Sequence, residues 1–467
     1  MLIVRVLLFT KLTCPTLNSG ENEMKALIIA AGMGRRIKNL GDSKPLINLL
    51  GLPLIERVIV NAIRAGIRDF VVVVGYNREK LEKELKTIAK RRKINIKIVF
   101  NPEWEKDNGL SVLAAKEYLQ DGKFLLLMSD HIHDDKIIEN LKNAEIANDE
   151  VILAVDYKIE NNHYVDHKDA TKVLVEDGCI VDIGKNIENF NAYDTGAFLC
   201  TPVIFSAIEK SLKESGDGSL SGGIRVLSKR KKARVLDIGE LFWVDVDDKK
   251  AYKKAEEFLL KKLVKPSDGP VSRYINRPLS RKITKFFIKL PFTPNQITVF
   301  NFLLSVISGF LFTLNGYIGL LFGGLLTQFS SIFDGVDGEI ARLKYLESKF
   351  GKWLDSVLDR YADAFILGGL TWHTFFYSNR SRWSYLIGLF AIVGSLINSY
   401  IAMEYDRLMI KKGKEKYFRI GRDVRLFVIF LGSIADRPVE TLLLIASIMN
   451  FENIRRIVIL RLNESFL

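Results

Sequence analysis

Residues 331–363 read SIFDGVDGEIARLKYLESKFGKWLDSVLDRYAD, with aspartates recurring at helical spacing. Asp334 and Asp337 are i, i+3 neighbours, and Asp355 and Asp359 are i, i+4 neighbours, so on helices each pair shares one face. Asp334, Asp337 and Gly338 close one apolar run, while Gly351, Asp355 and Asp359 open the next. Two facing helices would bring four carboxylates to one point. Unpaired, they would repel one another and lose hydration, and ionisable groups inside spans are rare and usually functional. Divalent cations resolve the conflict, because hard oxygen ligands suit Mg2+ or Mn2+. Such ions would hold a pyrophosphate. The small residues Gly338, Ala341 and Gly351 would let a nucleotide approach the helix backbones.

The spacing Asp-x2-Asp-Gly-x2-Ala-Arg-x8-Gly-x3-Asp-x3-Asp, from Asp334 through Arg342 to Asp359, resembles the signature of the CDP-alcohol phosphotransferase family at every fixed position. Thr293-Pro-Asn-Gln-Ile-Thr298 is similar to that family's lead-in, and the resemblance runs from about Asn295 to about residue 450. It implies an all-α six-helix transmembrane domain, usually a homodimer. It implies that Asp334, Asp337 and Asp355 bind metal and the pyrophosphate of a CDP-alcohol, with Gly338, Ala341, Arg342 and Gly351 lining the nucleotide. Asp359, counted with the metal-binding carboxylates, is then also the general base. It takes a proton from the acceptor hydroxyl as that oxygen attacks the β-phosphorus, and CMP leaves. Arg422 and Arg425, in a basic stretch, are either ligands of an acceptor phosphate or simple cytoplasmic-side positive charge.

A second chemistry-bearing segment is Met24–Pro45, MKALIIAAGMGRRIKNLGDSKP. A buried strand runs into Ala31-Gly32-Met33-Gly34-Arg35-Arg36, and Lys44-Pro45 follows. Glycines after a strand let backbone N–H groups wrap phosphates. Arg35 and Lys44 place positive charge where a leaving pyrophosphate develops negative charge. The G-x-G-x-x-G of a dinucleotide fold is absent. The pattern resembles the sugar-phosphate nucleotidyltransferases over about residues 24–262. Asn101-Pro-Glu-Trp104 with Asn108-Gly109-Leu110-Ser111 is similar to the nucleobase segment of the choline-phosphate and inositol-phosphate cytidylyltransferases. That likeness implies that Gly32 and Gly34 meet the phosphates, that Asn101, Asn108 and Ser111 bind the base, and that Asp130 of Ser129-Asp130-His131 holds Mg2+. Asp245 of Trp243-Val244-Asp245 is the second metal carboxylate, with Asp247 as alternative, and Lys185 and Asp194 hold the substrate's phosphate and hydroxyls. The reaction would be an in-line attack by the substrate phosphate on the α-phosphorus of CTP, carried by positioning, Mg2+ and cationic side chains.

Two unlike halves must position these residues. The chain has 467 residues, 48% hydrophobic and 26% charged, with net charge +13. Residues 24–265 are charge-rich and alternate strand and helix patterns, which argues for an α/β nucleotidyltransferase domain, a Rossmann-like mixed sheet with helices on both faces. The strands expected are Lys25–Ala30, Phe70–Val74, Ile96–Phe100, Phe124–Met128, Val151–Asp156, Thr171–Glu176 and Ala197–Cys200. The helices expected are Ile55–Ala65, Leu81–Arg91, Gly109–Tyr118 and Lys249–Lys262. Residues 265–295 hold six prolines and glycines around a basic amphipathic stretch, Ser272–Leu290, which fits a helix on the membrane surface or a plain linker helix. Six spans are read at 296–316, 317–334, 354–377, 383–403, 424–435 and 438–451. Basic loops alternate with poorer ones, except at Asn379–Arg382, so both ends are expected on the cytoplasmic side.

The domains expected are therefore 24–264, 265–295 and 296–467, with 1–23 a disordered extension. The basic surplus sits beside apolar spans, and no nucleic-acid motif accompanies it. Cys14, Cys179 and Cys200 form no disulfide framework or zinc pattern.

One half would make a CDP-alcohol and the other consume it. The pairing resembles the bifunctional enzymes of di-myo-inositol phosphate synthesis. The resemblance implies that CTP and inositol 1-phosphate give CDP-inositol, and that inositol phosphate then passes to a second inositol 1-phosphate. The product is a phosphorylated di-myo-inositol phosphate, related to a compatible solute of heat-loving microbes. It also implies Mg2+ in both domains, with Mn2+ possible, contact with membrane lipids, and a multi-pass protein of the cell membrane whose soluble half lies in the cytoplasm. The alternatives are a phospholipid enzyme with a lipid CDP-donor and a non-catalytic membrane scaffold or transporter.

Overall fold

The computed structural model describes residues 24–159, 165–167, 169–265, 268–379, 382–411 and 420–462. The extension expected at 1–23 lies outside the described residues. The chain divides into two compact units, one ending at Ala251 and one beginning at Tyr252, with the short segment Asn48–Leu52 assigned to the second.

The first unit has strands β1 (Lys25–Ala30), β2 (Asp69–Val74), β3 (Asn95–Phe100), β4 (Phe124–Met128), β5 (His131–His133), β6 (Val151–Asp156), β7 (Lys172–Glu176), β8 (Cys179–Gly184), β9 (Ala192–Cys200), β10 (Ala233–Asp237) and β11 (Trp243–Asp245). Its helices are α1 (Leu54–Arg64), α2 (Arg78–Arg92), α3 (Asn108–Ala114), α4 (Asp135–Asn143), α5 (Val203–Ser215) and α6 (Leu220–Ser228), and α7 (Lys249–Lys261) follows. Nine strands form one sheet in the order β3-β2-β1-β4-β9-β6-β10-β8-β7. Strands β3, β2, β1 and β4 are mutually parallel, whereas β9 runs antiparallel to both β4 and β6, so the sheet is mixed. A separate antiparallel pair joins β5 to β11.

The strands of the parallel half are apolar on both faces because both faces are covered. Along β1, Ala26, Ile28 and Ala30 enter one core with residues of α1, α2 and α4, and Leu27 and Ile29 enter the other with residues of α3, α5 and α6. This is the two-residue alternation of a strand. Helices α4, α5 and α6 and strands β5, β8, β10 and β11 are not among the elements expected from the sequence. The expected helix Gly109–Tyr118 breaks after Ala114 into a short 3-10 turn.

The second unit is helical: α8 (Arg277–Phe287), α9 (Pro294–Phe312), α10 (Tyr317–Leu343), α11 (Lys349–His373), α12 (Arg382–Lys411), α13 (Arg422–Ile434) and α14 (Pro438–Arg461). Among the described residues six helices, α9 to α14, thus occupy the region read as six spans, but with different ends. Helix α10 continues nine residues past the expected stop at 334, because the polar side chains there find partners inside the bundle. Pro294–Phe312, Tyr317–Leu343 and Arg382–Met409 are long and apolar enough to cross a membrane. Helix α11 carries Asp355, Asp359, Arg360 and Asp363, which lower its hydropathy. Helix α13 has 13 residues, about 20 Å at 1.5 Å per residue. Large apolar side chains such as Ile307, Phe310, Ile318 and Phe322 are exposed on the bundle, as a lipid-facing surface requires.

The juxtamembrane segment is a π-helical turn, Ser272–Asn276, leading into α8. Its orientation differs from a simple surface helix. Three polar side chains turn inward: Arg277 Nη1, Ser280 Oγ and Thr284 Oγ1 donate to the fully buried Glu339 at 3.0, 2.6 and 2.7 Å, while Lys282 and Lys285 stay exposed. Tyr274, Leu279 and Phe286 are exposed. A buried carboxylate needs this many donors, so Glu339 decides which face of α8 turns inward.

Two candidate active sites

The first cluster lies at the ends of β1, β4 and β11. Gly34 follows β1 with φ +69, and a Cβ there would stand 2.4 Å from Lys44 Cβ, so only glycine lets the loop close over that lysine. Lys44 is buried, and its ammonium touches Asp130 Oδ2 and Asp247 Oδ1 and lies 3.4 Å from Asp245 Oδ1. Burial works against the ammonium, but Asp130, Asp245 and Asp247 overcome it and hold its pKa above the ordinary lysine value.

A chain of ion pairs continues outward. Arg36 reaches Asp247 and Asp169 at 2.5 Å each, and Lys185 Nζ donates to Asp169 Oδ1 at 2.9 Å. Lys185 is thereby joined to the cluster. Arg35, expected with Lys44 as a catalytic cation, is exposed, as is its neighbour Arg36, which reaches Asp247 and Asp169. Both arginines open the 3-10 turn Arg35–Leu40, and nothing in the dipeptide Arg35-Arg36 tells which one pairs with the carboxylates. Asp169 and Arg36 were missed. Arg36 stands out in the sequence only as the neighbour of Arg35, and Asp169 lies far from any motif.

Asn101 Nδ2 donates to Ser111 Oγ at 2.9 Å, and both side chains are buried. Asn108 is exposed and accepts the Leu220 N–H at 2.9 Å, so it links the start of α3 to the start of α6. Asp194 accepts the Gly196 N–H at 2.7 Å, and burial raises its carboxyl to about 6. His131 Nδ1 lies 2.8 Å from Asp130 Oδ1. Burial, with His131 beside it, pushes His133 down to about 4, so His133 is neutral and its Nε2–H donates to the Thr195 carbonyl at 2.7 Å. Asp130, His131 and Asp245 each offer a ligand atom, all within 4.8 Å of one another. Of the two aspartates left open, Asp245 stands in this group, while Asp247 holds Arg36 and Lys44.

The second cluster is built by four helices. Thr293 caps α9 through a capping box with Gln296, with Pro294 at its first turn. This start sets Thr298 one turn in, where its hydroxyl donates to Asp337 Oδ2 and also reaches the Pro294 carbonyl. One turn further, Asn301 Nδ2 donates to Asp334 Oδ1 at 3.2 Å. Helices α9 and α11 meet through two glycines: a Cβ on Gly369 would stand 2.1 Å from the Gly309 carbonyl oxygen. Ser348 caps α11 by accepting the Gly351 N–H at 2.9 Å.

Asp334, Asp355 and Asp359 each place an oxygen within 4.8 Å of the others. Hard carboxylate oxygens at that spacing fit a divalent cation. Asp337 stands outside this group of three, with its carboxylate on Thr298 and on the Gly338 N–H. Both aspartates of α10 meet α9, Asp334 at Asn301 and Asp337 one turn away at Thr298. Gly338 and Ala341 are half-buried beside it, Gly351 lies against Ser348 and Asn295, and Arg342 reaches the Leu263 carbonyl at 3.4 Å.

Arg422 lies against the carboxylates themselves. Its Nη1 is 2.9 Å from Asp334 Oδ1 and 2.8 Å from Asp359 Oδ1, and its Nε donates to Asp363 Oδ1 at 2.9 Å. Its buried Nη2 has no partner among the described residues. It lines a cavity of about 60 Å3 with Ser272, Asn276, Ser331 and Asp334. Arg425, expected beside it at an acceptor phosphate, is buried, donating to Asp363 Oδ2 and, at 3.3 Å, to the Ser395 carbonyl. It backs Arg422 instead of facing an opening. Asp363 was missed, although it continues the i, i+4 series of Asp355 and Asp359.

Comparison with known proteins supplies the family. Residues 292–459 match the CDP-alcohol phosphatidyltransferase family, and residues 26–181 match the MobA-like NTP transferase domain. A protein of Aquifex aeolicus, known as a bifunctional IPC transferase and DIPP synthase, is 34% identical over 419 residues, covering 88% of this chain and 91% of its own. The protein of the same name from Rubrobacter xylanophilus is 33% identical, covering 96% of this chain and 99% of its own. The solved inositol-1-phosphate CTP transferase of T. maritima is 26% identical over 51% of this chain and 96% of its own, with a TM-score of 0.44. With both halves matched and the likeness running nearly end to end, the chain belongs to the family of bifunctional IPC transferases and DIPP synthases.

Proposed function

We propose that this protein makes CDP-inositol from CTP and inositol 1-phosphate in its first unit. Its second unit then transfers inositol phosphate from CDP-inositol to a second inositol 1-phosphate, releasing CMP. The observation that carries the reading is the near end-to-end likeness to enzymes of that name, 99% of the length in one case.

In the first reaction the phosphate of inositol 1-phosphate attacks the α-phosphorus of CTP and pyrophosphate leaves. Lys44 leaves its carboxylates for the departing pyrophosphate, Gly32 and Gly34 admit the phosphates, and Arg35 adds charge at the rim. Asn101 and Ser111, joined and buried, with Asn108 nearby in sequence, recognise cytosine. Lys185 and Asp194 hold the inositol phosphate. In the second reaction Asp359 removes the proton from the acceptor hydroxyl, and that oxygen attacks the β-phosphorus. Asp334, Asp337 and Asp355 hold the donor's pyrophosphate side, and Gly338, Ala341, Arg342 and Gly351 border the nucleotide. Arg422, with its unpartnered Nη2, meets the acceptor phosphate. Bound Mg2+ or Mn2+, on Asp130 and Asp245 in one site and on the α10–α11 aspartates in the other, neutralises phosphate charge. The protein works as a membrane homodimer in contact with lipids, with both reactions on the cytoplasmic side, and its product feeds a compatible solute.

The deciding experiment supplies purified full-length protein with CTP and inositol 1-phosphate. A soluble phosphodiester, with pyrophosphate and CMP released together, is expected. A product extracted with lipid would replace this reading by a phospholipid enzyme.

A further inference from the structure

We propose that His131 is a third protein ligand to the divalent cation of the nucleotidyl-transfer site, and that its nitrogen biases that site toward Mn2+ over Mg2+. The inference rests on the assignment of Asp130 and Asp245 as metal carboxylates.

His131 Nδ1 lies 2.8 Å from Asp130 Oδ1 and 3.7 Å from Asp245 Oδ1. An octahedral ion with bonds of about 2.1 Å sets neighbouring ligand atoms roughly 3 Å apart and opposite ones about 4 Å apart. The first separation is close to a neighbouring pair, and the second falls between the two. Asp130 is divided between two duties: Oδ1 faces His131, and Oδ2 faces Lys44. A cation beside Oδ1 would therefore meet His131 before it met the lysine.

The imidazole is held in that orientation from several sides. Its ring lies against Trp243 at 6.1 Å and 16° between planes, and against His133 at 6.0 Å and 25°. His133 is itself fixed by Thr195. Gly196, at φ +74, leaves the space the ring fills, since a Cβ there would stand 2.5 Å from His131 Cδ2. Strands β5, β9 and β11 thus all constrain one ring, and they aim its Nδ1 at two carboxylates. Fixed orientation by surrounding groups is what a metal-binding histidine requires. Imidazole suits later divalent ions better than Mg2+, which prefers oxygen alone. The rival role is a hydrogen bond only, with Nδ1–H donating to Asp130 and no contact with metal.

The test is pulsed electron paramagnetic resonance of Mn2+ on full-length protein carrying 15N in histidine only, with unlabelled CTP. Asp334→Asn and Asp355→Asn silence the second cluster. A 15N coupling of directly bound strength is expected. His131→Gln should abolish it, weaken Mn2+ about tenfold or more, and weaken Mg2+ less. Mn2+ bound without that coupling in the protein retaining His131 would overturn the proposal, and this measurement needs no change at His131. If Asp130→Asn and Asp245→Asn leave Mn2+ binding intact, the carboxylate assignment itself fails, and this inference with it.

Discussion

The two clusters solve the same electrostatic problem with different architecture. In the first unit, Lys44 stands among Asp130, Asp245 and Asp247. In the second, Arg422 stands among Asp334, Asp359 and Asp363. Each set of like charges carries an internal cation, as crowded carboxylates require. The difference is how the members are brought together. The first cluster joins strand ends and loops as much as 203 residues apart. The second takes three of its aspartates from neighbouring turns of one helix. A helix supplies repeated ligands by its own period, whereas strands supply one ligand per end, so the sheet must collect them from distant segments. The internal cations also differ: a lysine has rotatable reach to follow a leaving phosphate, while an arginine held by Asp363 is fixed.

The largest effect should come from removing metal. Chelation should abolish both pyrophosphate and CMP release, and Mg2+ or Mn2+ should restore both. Residual activity of one half would break the likeness between the clusters. Next, Asp359→Asn should cut CMP release from supplied CDP-inositol by about 10³-fold, with pyrophosphate release from CTP unchanged. Loss of both would mean that the two reactions are not divided between the units as assigned. The converse, Lys44→Ala, should lower pyrophosphate release by about 10²-fold and leave phosphotransfer intact, as the same two assays would report. Asp363→Asn sharpens the contrast between mobile and fixed cations. Breaking that buried pair should destabilise the protein by about 3–5 kcal/mol, seen in thermal unfolding in detergent, and slow only the second reaction. The smallest effect is expected from Thr298→Val, which removes one donor from Asp337. Phosphotransfer should fall about tenfold or less, in line with a hydrogen bond to a charged group of about 1.5 kcal/mol.

Much of the second cluster was legible because its geometry is local. Asp355 and Asp359 share a face by helical spacing, Asp334 joins them from the facing helix, and the Thr293–Thr298 lead-in is a helix start that delivers Thr298 to Asp337. Arg422 was legible only as a basic residue near a span. That it bridges two helices' aspartates depends on how α13 docks. The first cluster was legible as motifs but not as a network. Nothing local distinguishes Arg36 from Arg35, and nothing connects Asp169 to either. Helices α5 and α6 escaped notice because their apolar positions are mixed with polar residues and glycines. Their burial, α5 through Phe205 on Phe124 of β4 and α6 on β8 and β10, is a tertiary fact.

The four aspartates at 334, 337, 355 and 359, the glycine loop before Lys44, and the division into a mixed α/β half and a helical membrane half were set by sequence alone. Residue type, spacing and hydropathic period are local properties, and they need no partner to be read. The fold decided the rest: that Asp337 turns to Thr298, that Arg425 is buried behind Arg422, that Asp245 joins Asp130 while Asp247 takes the cations, and that α8 turns Arg277, Ser280 and Thr284 to Glu339. Each is a choice among partners far apart in the chain. A charge or donor takes the partner that packing brings within about 3 Å, and only the folded chain determines which one that is.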